Sequence, residues 1–287
     1  MSVHQPLIDV AGLAAMPAAR VLVVDCRFEL ADPEKGRREY KAGHIPGAVF
    51  AHLDEDLSEL GRQAEGLGRH PLPDAAAFAA VLGRWGWQPG LPVVAYDAGS
   101  GAMVAARLWW LLRVAGIEAR VLDGGIAAWS AAGQPLQGGT VARTPTHVAV
   151  AFDDAQTLYT DAIERDLRAP DMLLLDARAA PRYRGEVEPI DRVGGHVPGA
   201  RNRPFADNLQ ADGRFKPLDQ LRAEFAALLG DRDPAEVVHM CGSGATACHN
   251  LLAMEQAGLH GSRLYAPSWS GWVSDPARPV ATGAAPG

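Results

Sequence analysis

The sequence predicts an α/β protein made of two copies of one domain, each a mainly parallel β-sheet flanked by helices. The first observation is length, because 287 residues are typical of two domains rather than one. The second is that three short motifs occur in the same order in both halves of the chain. The third is that short apolar runs alternate with longer stretches rich in Ala and Leu, and this alternation is typical of α/β folds.

The repeated motifs indicate a duplication before any local element is considered. The three pairs of matching segments lie at 25–27 and 176–178, at 44–48 and 196–200, and at 93–97 and 237–241. The clearest pair reads His-Ile-Pro-Gly-Ala in the first half and His-Val-Pro-Gly-Ala in the second. The offsets within the pairs are 151, 152 and 144 residues. Three matches in one order at similar offsets are hard to obtain by chance.

Within each copy, apolar runs with the length of buried strands precede longer stretches that favour helix. Strands are predicted at 21–24, 93–95, 173–175 and 237–238. Helices are predicted at 75–85, 102–115, 218–229 and 245–257. The segment 138–156 carries Gly, Pro and Thr with little helical periodicity. We therefore expect an N-terminal domain at 1–137, a linker at 138–156 and a C-terminal domain at 157–287.

Composition excludes several classes of protein. With 48% hydrophobic and 21% charged residues, the chain has globular rather than disordered or collagenous composition. The net charge of -7 gives no overall positive field, so we expect neither nucleic acid nor membrane as a partner. The sequence carries no signal-like N-terminus and no apolar run of about 20 residues, which predicts a cytoplasmic location. Three cysteines without a paired CxxC argue against a disulfide framework and a structural zinc site.

The two copies differ at the end of the strand predicted at 237–238, where open parallel sheets bind ligands. The second copy has Cys241 there, followed by small residues at 242–247, whereas the first has Asp97 and a loop about two residues longer. Small residues let consecutive backbone N–H groups converge at a helix N-terminus and bind an anion. Such a nest favours the thiolate, the form that nucleophilic sulfur chemistry requires. The simpler alternative is that Cys241 is a small buried hydrophobe.

The segment Cys-Gly-Ser-Gly-Ala-Thr-Ala at 241–247 resembles the active-site loop of the mercaptopyruvate sulfurtransferases. The duplication resembles that of tandem-domain rhodaneses over almost the whole chain. Also similar are the two His-x-Pro-Gly-Ala segments, Leu-Asp-Gly-Gly at 122–125, and Ser-Trp-Ser-x-Trp at 268–272. The resemblance implies two tandem rhodanese-like domains. It also implies that the N-terminal domain is catalytically silent, since Asp97 occupies the position of the nucleophile.

The resemblance further implies a sulfurtransferase that moves a sulfur atom from 3-mercaptopyruvate to a thiol or cyanide through a persulfide on Cys241. The charge of the persulfide is expected to be stabilised by the loop that follows the cysteine. Besides Ser243, that loop contains Gly242, Gly244, Ala245, Thr246 and Ala247. The partners are then a small-molecule sulfur donor and an acceptor, which is a small thiol, a thioredoxin-like protein or cyanide. Both half-reactions are of the thiol-exchange type, so no cofactor and no metal is expected.

Five residues take roles from the resemblance. Ser243 matches a serine that works with a histidine of a His-x-Leu-Pro segment and a nearby aspartate, and these correspond to His70 and Asp54. Without the resemblance, His70 and Asp54 would also be typical of exposed loop residues that take no part in the chemistry. Arg182 and Arg192 match the arginines that bind the carboxylate of the donor, a task for which guanidinium groups suit carboxylates. Their separation is one residue longer than in the mercaptopyruvate pattern.

Several other functions are alternatives to this one. Thiosulfate is the second candidate donor, although relatives that prefer it often carry basic residues where Gly242 and Ser243 stand. Cysteine-dependent phosphatases and arsenate reductases require Cys-x5-Arg, and Ala247 occupies the position of the arginine. A papain-like protease would need cysteine at Gly244. A non-catalytic sulfur carrier or sensory module would keep the cysteine and lack turnover.

Four remaining residues are assigned structural roles. Arg27 and Arg178 each follow an aspartate by two residues at the end of a strand, which predicts an internal ion pair in each domain. Cys26 is expected in the core. Cys248 is expected to pack rather than to act as a resolving thiol.

Overall fold

The structure, a computed structural model, describes residues 5–167 and 171–287. Within them the chain forms two compact units. Unit 1 contains the chain up to Ser58 together with Pro73–Asp153 and Gln210–Phe215. Unit 2 contains Glu59–Leu72, Asp154–Leu209 and Lys216–Gly287. Two short segments, 59–72 and 210–215, therefore belong to the unit that is formed mainly by the other half of the sequence.

Each unit contains one five-stranded parallel sheet. The strands of unit 1 are β1 (Leu7–Ile8), β2 (Leu22–Asp25), β3 (Val49–Phe50), β4 (Val93–Tyr96) and β5 (Ala119–Leu122). Those of unit 2 are β6 (Thr157–Leu158), β7 (Leu173–Asp176), β8 (Arg201–Asn202), β9 (Val237–Met240) and β10 (Arg263–Tyr265). The strand orders are β1-β5-β4-β2-β3 and β6-β10-β9-β7-β8. Because the two orders are equivalent, the structure confirms the predicted duplication and the α/β fold class.

Helices flank both sheets. Unit 1 has α1 (Val10–Ala14), α2 (Lys35–Ala42), α3 (Leu53–Asp56), α4 (Ala75–Arg84), α5 (Val104–Val114) and α6 (Gly125–Ala131). Unit 2 has α7 (Thr160–Asp166), α8 (Ala180–Tyr183), α9 (Leu218–Leu229), α10 (Ala247–Gln256) and α11 (Ser268–Trp272). Short 3-10 helices lie at Ala18–Arg20, Leu60–Glu65, Asp154–Gln156, Phe205–Asn208 and Pro234–Glu236. In the described part of the chain, no helix has both the length and the apolar character needed to span a membrane.

The four predicted strands and four predicted helices are confirmed. The strands are the buried β2, β4, β7 and β9, each of which is fully apolar or nearly so and inaccessible on both faces. Helix α10 begins at Ala247, two residues later than the sequence predicts. The strands that sequence analysis missed include β1, β3, β6 and β8, which have only two residues each. A strand of two residues is too short to show a hydrophobic period.

The repeated His-x-Pro-Gly-Ala segments are structural in both units. His44 stacks on Tyr40 with ring centroids 4.2 Å apart, and His196 stacks on Tyr183 at 3.8 Å. In each pair the histidine Nδ1 lies within 2.9 Å of the tyrosine carbonyl oxygen. Each tyrosine hydroxyl in turn donates to the carbonyl of the alanine that ends the segment. These contacts bury the histidines completely and explain why the segment is repeated.

The predicted internal ion pairs are also confirmed. Arg27 Nη2 lies 2.6 Å from Asp25 Oδ2, and Arg178 Nη2 lies 2.6 Å from Asp176 Oδ2. In both pairs Nε also donates to the carboxylate, so the contact is bidentate. All four side chains are buried. Bidentate geometry is what allows such a pair to tolerate burial.

The segment 59–72 packs closely against α11 in unit 2. Gly68 has a φ of +86°, and a Cβ at this position would lie 2.4 Å from the carbonyl oxygen of Pro267. A Cβ on Gly271 would lie 2.9 Å from the carbonyl oxygen of Gly66 and 3.2 Å from the backbone nitrogen of Gly68. Glycine is therefore required where the two segments meet. This contact places the residues that follow Gly68 next to the carboxyl end of β9.

Candidate active site

Cys241 directly follows β9 at the carboxyl end of the sheet of unit 2 and is only 2% exposed. Its N–H donates to the hydroxyl of Ser268 at 3.1 Å, and its carbonyl accepts from the N–H of Trp269 at 3.0 Å. Ser268 itself has a φ of +52°, a conformation that is uncommon outside glycine. Its hydroxyl donates to the carbonyl of Tyr265. Helix α11 thus fixes the backbone of the cysteine.

The loop after Cys241 presents unpaired backbone donors. Gly244 adopts a left-handed φ of +77°, which turns the chain toward α10. Five N–H groups of this loop have no acceptor among the described residues, namely those of Gly242, Ser243, Ala245, Thr246 and Ala247. Buried backbone donors almost always have a partner. The loop is therefore suited to an anionic group.

The equivalent loop of unit 1 shows how such a nest is filled. Asp97 directly follows β4, and its Oδ1 accepts from the N–H groups of Gly99 and Gly101, both at 2.9 Å. Burial raises the pKa of Asp97 to about 6, although these two hydrogen bonds oppose the rise. In unit 1 the acceptor is thus a side chain of the loop itself. The repeat therefore supports the interpretation of the 241–247 loop as an anion-binding nest.

The three cysteines of the chain are free and buried, so burial alone does not separate them. Cys248 is on α10, and its Sγ donates to the carbonyl of Gly244 at 3.3 Å. Cys26 lies beside Asp25 in unit 1, where burial and the neighbouring carboxylates raise the pKa of its thiol well above the ordinary value. Both are packed as predicted. Cys241 differs from them because the loop that follows it carries unpaired amides.

Ser243 and His70 are in direct contact in unit 2. The Ser243 hydroxyl oxygen lies 2.8 Å from Nδ1 of His70. Both side chains are buried, with 6% and 4% exposure. The structure thus brings together the hydroxyl and the imidazole that the resemblance assigns to proton transfer, and His70 is not an exposed loop residue.

Asp54 lies in unit 1, in α3. Its N–H donates to Nδ1 of His52 at 3.2 Å, and His52 precedes the helix as its N-cap. The carboxylate is partly buried. Its part in the chemistry stays a prediction.

Two guanidinium groups lie beside Gly242. A Cβ at this position would be 3.2 Å from Nη2 of Arg69 and 3.7 Å from both Nη atoms of Arg182. Arg182 was predicted to bind the substrate. Arg69 was not, and the only signal for it is its position directly before His70. On the side of Gly242, the cysteine loop therefore faces two guanidinium groups.

Two acidic residues hold these arginines in place. Arg182 Nη2 lies 2.6 Å from Glu188 Oε1 and 3.1 Å from Asp191 Oδ2, and Arg69 Nη1 lies 2.5 Å from Asp191 Oδ1. Asp191 thus bridges the two guanidinium groups with its two oxygens. Burial works to raise the pKa of Glu188, but hydrogen bonds from Arg182 and from backbone N–H groups outweigh it and leave the pKa below its ordinary value. Glu188 is therefore ionised when it pairs with Arg182.

Arg192 has a different environment. Its Nη2 donates to the carbonyl of Val273 at 3.0 Å. Asp191, one position earlier in the sequence, lies at the arginine pair. Binding of substrate by Arg192 stays a prediction, and the positioning role of Asp191 is one that sequence analysis missed.

One group of metal-ligand side chains occurs in the described residues, formed by Glu34, His52 and Glu55 in unit 1. The guanidinium of Arg37 donates to both glutamates, at 3.1 and 2.6 Å. An arginine thus already supplies the positive charge between them. The group gives no support for a metal.

Comparison with known proteins adds to this geometry. The family model for the rhodanese-like domain matches twice, over residues 10–132 and 160–275. The chain belongs to the rhodanese family. The two matches confirm the prediction of two rhodanese-like domains, and each match covers four of the five strands of one sheet.

Individual relatives support the same assignment. This rhodanese is 52% identical, over 92% of its chain and 93% of the relative, to a "Probable 3-mercaptopyruvate sulfurtransferase" of Pseudomonas aeruginosa. It is 41% identical, over 98% of both chains, to a "Putative thiosulfate sulfurtransferase SseB" of Mycobacterium tuberculosis. Among solved structures it resembles the 3-mercaptopyruvate sulfurtransferase of Leishmania major, with a TM-score of 0.82 and 32% identity over 95% of this chain and 76% of the other.

Proposed function

We propose that this rhodanese transfers a sulfur atom from 3-mercaptopyruvate to a thiol or cyanide through a persulfide on Cys241. The observation that carries the proposal is the contact between Ser243 and His70 next to the cysteine loop. The name of the Pseudomonas aeruginosa relative supports the same donor. The N-terminal domain has Asp97 in place of the cysteine, so it is catalytically silent in this proposal.

In the first half-reaction the Cys241 thiolate attacks the thiol sulfur of 3-mercaptopyruvate. The S–S bond forms while the C–S bond breaks, and the electron pair of that bond passes to carbon as the enolate of pyruvate. The sulfur keeps its hydrogen, so the enzyme holds Cys–S–SH. The enolate then takes a proton and leaves as pyruvate. The unpaired amides of the 242–247 loop are placed to stabilise the persulfide when it ionises.

The two candidate donors differ in whether their leaving group must be protonated. Pyruvate enolate must be protonated, and a hydroxyl hydrogen-bonded to an imidazole can deliver a proton to it. Thiosulfate releases sulfite, which carries the electron pair away without needing a proton. A buried hydroxyl–imidazole pair therefore favours 3-mercaptopyruvate. Asp54 remains our proposal for a third member of this relay.

In the second half-reaction an acceptor thiolate or cyanide attacks the outer sulfur of the persulfide. A new bond to the acceptor forms, the S–S bond breaks, and the electron pair returns to Cys241 as the thiolate. The acceptor leaves as a persulfide or as thiocyanate. Small thiols and thioredoxin-like proteins are the proposed acceptors, and the cytoplasm is the proposed location.

Thiosulfate is the second candidate donor. Two observations favour it, namely the name of the Mycobacterium tuberculosis relative and the two guanidinium groups beside Gly242, which suit any small anion. The ratio of kcat/KM for the two donors discriminates between them. We expect 3-mercaptopyruvate to be the better donor.

The central test is intact-protein mass spectrometry after treatment with 3-mercaptopyruvate, followed by addition of cyanide. We expect a gain of one sulfur atom on Cys241 and its loss as thiocyanate. A Cys241→Ala variant should gain none, while a Cys248→Ala variant should behave like the parent. A persulfide that forms but does not turn over with any acceptor would indicate the non-catalytic carrier. Absence of the persulfide with both donors would refute the mechanism.

A further inference from the structure

We propose that Ser270 is a positioning residue that holds the imidazole of His70 against the hydroxyl of Ser243. The inference rests on the proposed function, because it concerns the proton-transfer pair of the same site. Ser270 lies in α11 of unit 2 and is half-buried. The family resemblance includes it in a motif but assigns it no role.

Ser270 binds the residues that directly precede the two members of the pair. Its backbone N–H donates to the carbonyl of Gly242 at 2.8 Å, and Gly242 precedes Ser243. Its Oγ accepts from the backbone N–H of Arg69 at 2.9 Å, and Arg69 precedes His70. One peptide unit spans about 3.8 Å between Cα atoms. A single residue of α11 thus anchors both segments one peptide unit away from the groups that must meet.

The hydroxyl of Ser270 can make this bond without giving up its place in α11. It also donates to the carbonyl of Pro267 at 3.5 Å. A serine hydroxyl has one hydrogen to donate and two lone pairs to accept, so both bonds form at once. Loss of the hydroxyl would leave the half-buried N–H of Arg69 without this acceptor, which weakens the attachment of the segment 59–72.

Close packing brings the segment within reach of so short a side chain. A Cβ on Gly68 would lie 3.0 Å from Oγ of Ser270, and one on Gly271 would lie 2.9 Å from the carbonyl oxygen of Gly66. Since these positions carry no side chain, the backbone of 59–72 lies directly on α11. The serine hydroxyl then bridges the two segments.

Unit 1 offers an internal comparison for position 270. An offset of 143 residues aligns Trp129 with Trp272, and the indole N–H of each donates to a proline carbonyl at 2.9 Å. The same offset aligns Ala127 with Ser270. The N–H of Ala127 donates to the carbonyl of Ala98 at 3.3 Å. The backbone hydrogen bond of α11 is therefore repeated in unit 1, but the hydroxyl is not.

Each unit holds the short segment from the other half of the sequence by a different side chain. In unit 1 the carboxylate of Asp123 accepts from the N–H of Phe215 at 2.9 Å. The residue aligned with Asp123 in unit 2 is Ala266, whose side chain cannot accept. Ser270 supplies the acceptor there, about one helical turn further along. The hydroxyl is thus present in the unit that carries the nucleophile.

The test uses Ser270→Ala, which removes the hydroxyl and keeps the backbone N–H. We expect kcat for 3-mercaptopyruvate to fall by about 5- to 100-fold, because the imidazole is no longer held at the serine. KM for this donor should stay within about twofold, since the hydroxyl only acts through His70. The rate with thiosulfate, whose leaving group needs no proton, should also stay within about twofold.

The matched control is Ser274→Ala, which follows α11 directly. Its hydroxyl donates to the carbonyl of Gly271 at 2.7 Å, so the variant loses a hydrogen bond of the same kind but not the one to Arg69. Both rates should remain those of the parent in this control.

A double variant separates positioning from a general structural role. If Ser270 acts through His70, Ser270→Ala should cause no further loss of kcat in a His70→Gln background. The same loss in both backgrounds, or equal losses on the two donors, would overturn the proposal. Unchanged kcat in Ser270→Ala would do so as well.

Hydrogen exchange tests the bridge without relying on turnover. The amide of Arg69 should exchange about fivefold faster or more in Ser270→Ala than in the parent, and at the rate of the parent in Ser274→Ala. Unchanged exchange in Ser270→Ala would refute the bridge. Absence of 3-mercaptopyruvate turnover in the parent would refute the proposed function instead, and the exchange rates would still decide whether Ser270 holds the segment that carries His70.

Discussion

Nδ1 of His70 lies 2.8 Å from the hydroxyl oxygen of Ser243, although 173 residues separate the two in the chain. Both residues belong to unit 2, because the segment 59–72 is part of that unit although it lies in the N-terminal half of the sequence. The segment 210–215 has the reverse assignment and belongs to unit 1, where the N–H of Phe215 donates to Asp123 at 2.9 Å. Each compact unit is thus completed by a short segment from the other half of the sequence.

Removing the hydroxyl or the imidazole should slow the reaction with 3-mercaptopyruvate more than the reaction with thiosulfate. We expect Ser243→Ala and His70→Gln each to lower kcat for 3-mercaptopyruvate by about 10²-fold or more, the range typical of general acid–base catalysis. The loss with thiosulfate should be smaller, because sulfite needs no proton. Steady-state kinetics on both donors measures the difference, with Ser130→Ala, an exposed serine of α6, as control.

The two substitutions should also be non-additive. A hydroxyl and an imidazole that act as one relay lose their effect together, so the double variant should be little slower than the slower single variant. Additive losses would mean that the two groups act independently. Equal losses on both donors would show that the pair is structural.

Much of this fold could be predicted from sequence because its central strands are short, fully apolar runs and its motifs are repeated. The edge strands β3 and β8 have two residues each and are defined by pairing with β2 and β7, which no local pattern reveals. Cys241 was found because a strand end followed by small residues is a local signal. Arg69 was missed because its place beside Gly242 depends on the packing of 59–72 against α11, a contact between residues far apart in sequence.

Arg182 and Arg192 show the same limit of prediction from sequence. The resemblance assigns Arg182 to substrate binding, which stays a prediction, and the structure shows its guanidinium beside Gly242. Asp191 pairs with Arg182, whereas Arg192, one position later, donates to the carbonyl of Val273. The path of an exposed loop cannot be predicted from spacing when its length differs from the pattern.

Arg182→Gln and Arg192→Gln should therefore differ in their effect on binding of the donor. Nη1 of Arg182 has no acceptor in the described part of the chain and lies beside Gly242, so loss of this side chain should raise KM for 3-mercaptopyruvate by about tenfold or more. Arg192 already donates to Val273, and its loss should raise KM by less than about threefold. KM values from initial rates at fixed acceptor concentration test this. A larger effect at Arg192 would favour the arrangement that the family resemblance implies.

Asp97→Asn should stabilise unit 1 at neutral pH. Burial raises the pKa of Asp97 from 3.8 to about 6, so the folded state binds the proton more tightly than the unfolded state does. Ionisation of Asp97 lowers the free energy of unfolding. This loss is absent below pH 3.8 and complete above pH 6, where it reaches about 3 kcal/mol. Asparagine keeps an Oδ1 acceptor for Gly99 and Gly101 without the charge. Its free energy of unfolding should exceed that of the parent at pH 8 and match it near pH 4.

Urea unfolding at both pH values, followed by the fluorescence of the buried tryptophans, measures this difference. Sulfur transfer should be unchanged in Asp97→Asn, because the residue lies in unit 1 while the nucleophile lies in unit 2. A stability difference that is the same at pH 4 and pH 8 would show that ionisation of Asp97 is not its cause.

A side chain at position 242 should hinder binding of the donor beside Arg182. A Cβ there is already 3.2 Å from Nη2 of Arg69 and 3.7 Å from Arg182, so the branched side chain of Gly242→Val would occupy the space between both guanidinium groups and the loop. We expect KM for 3-mercaptopyruvate to rise by about tenfold or more, as for loss of the arginine contacts themselves. Gly43→Ala is the control, since a Cβ at that position of unit 1 meets only ordinary contacts at 3.5 Å. Unchanged KM in Gly242→Val, with the protein folded, would place the carboxylate elsewhere.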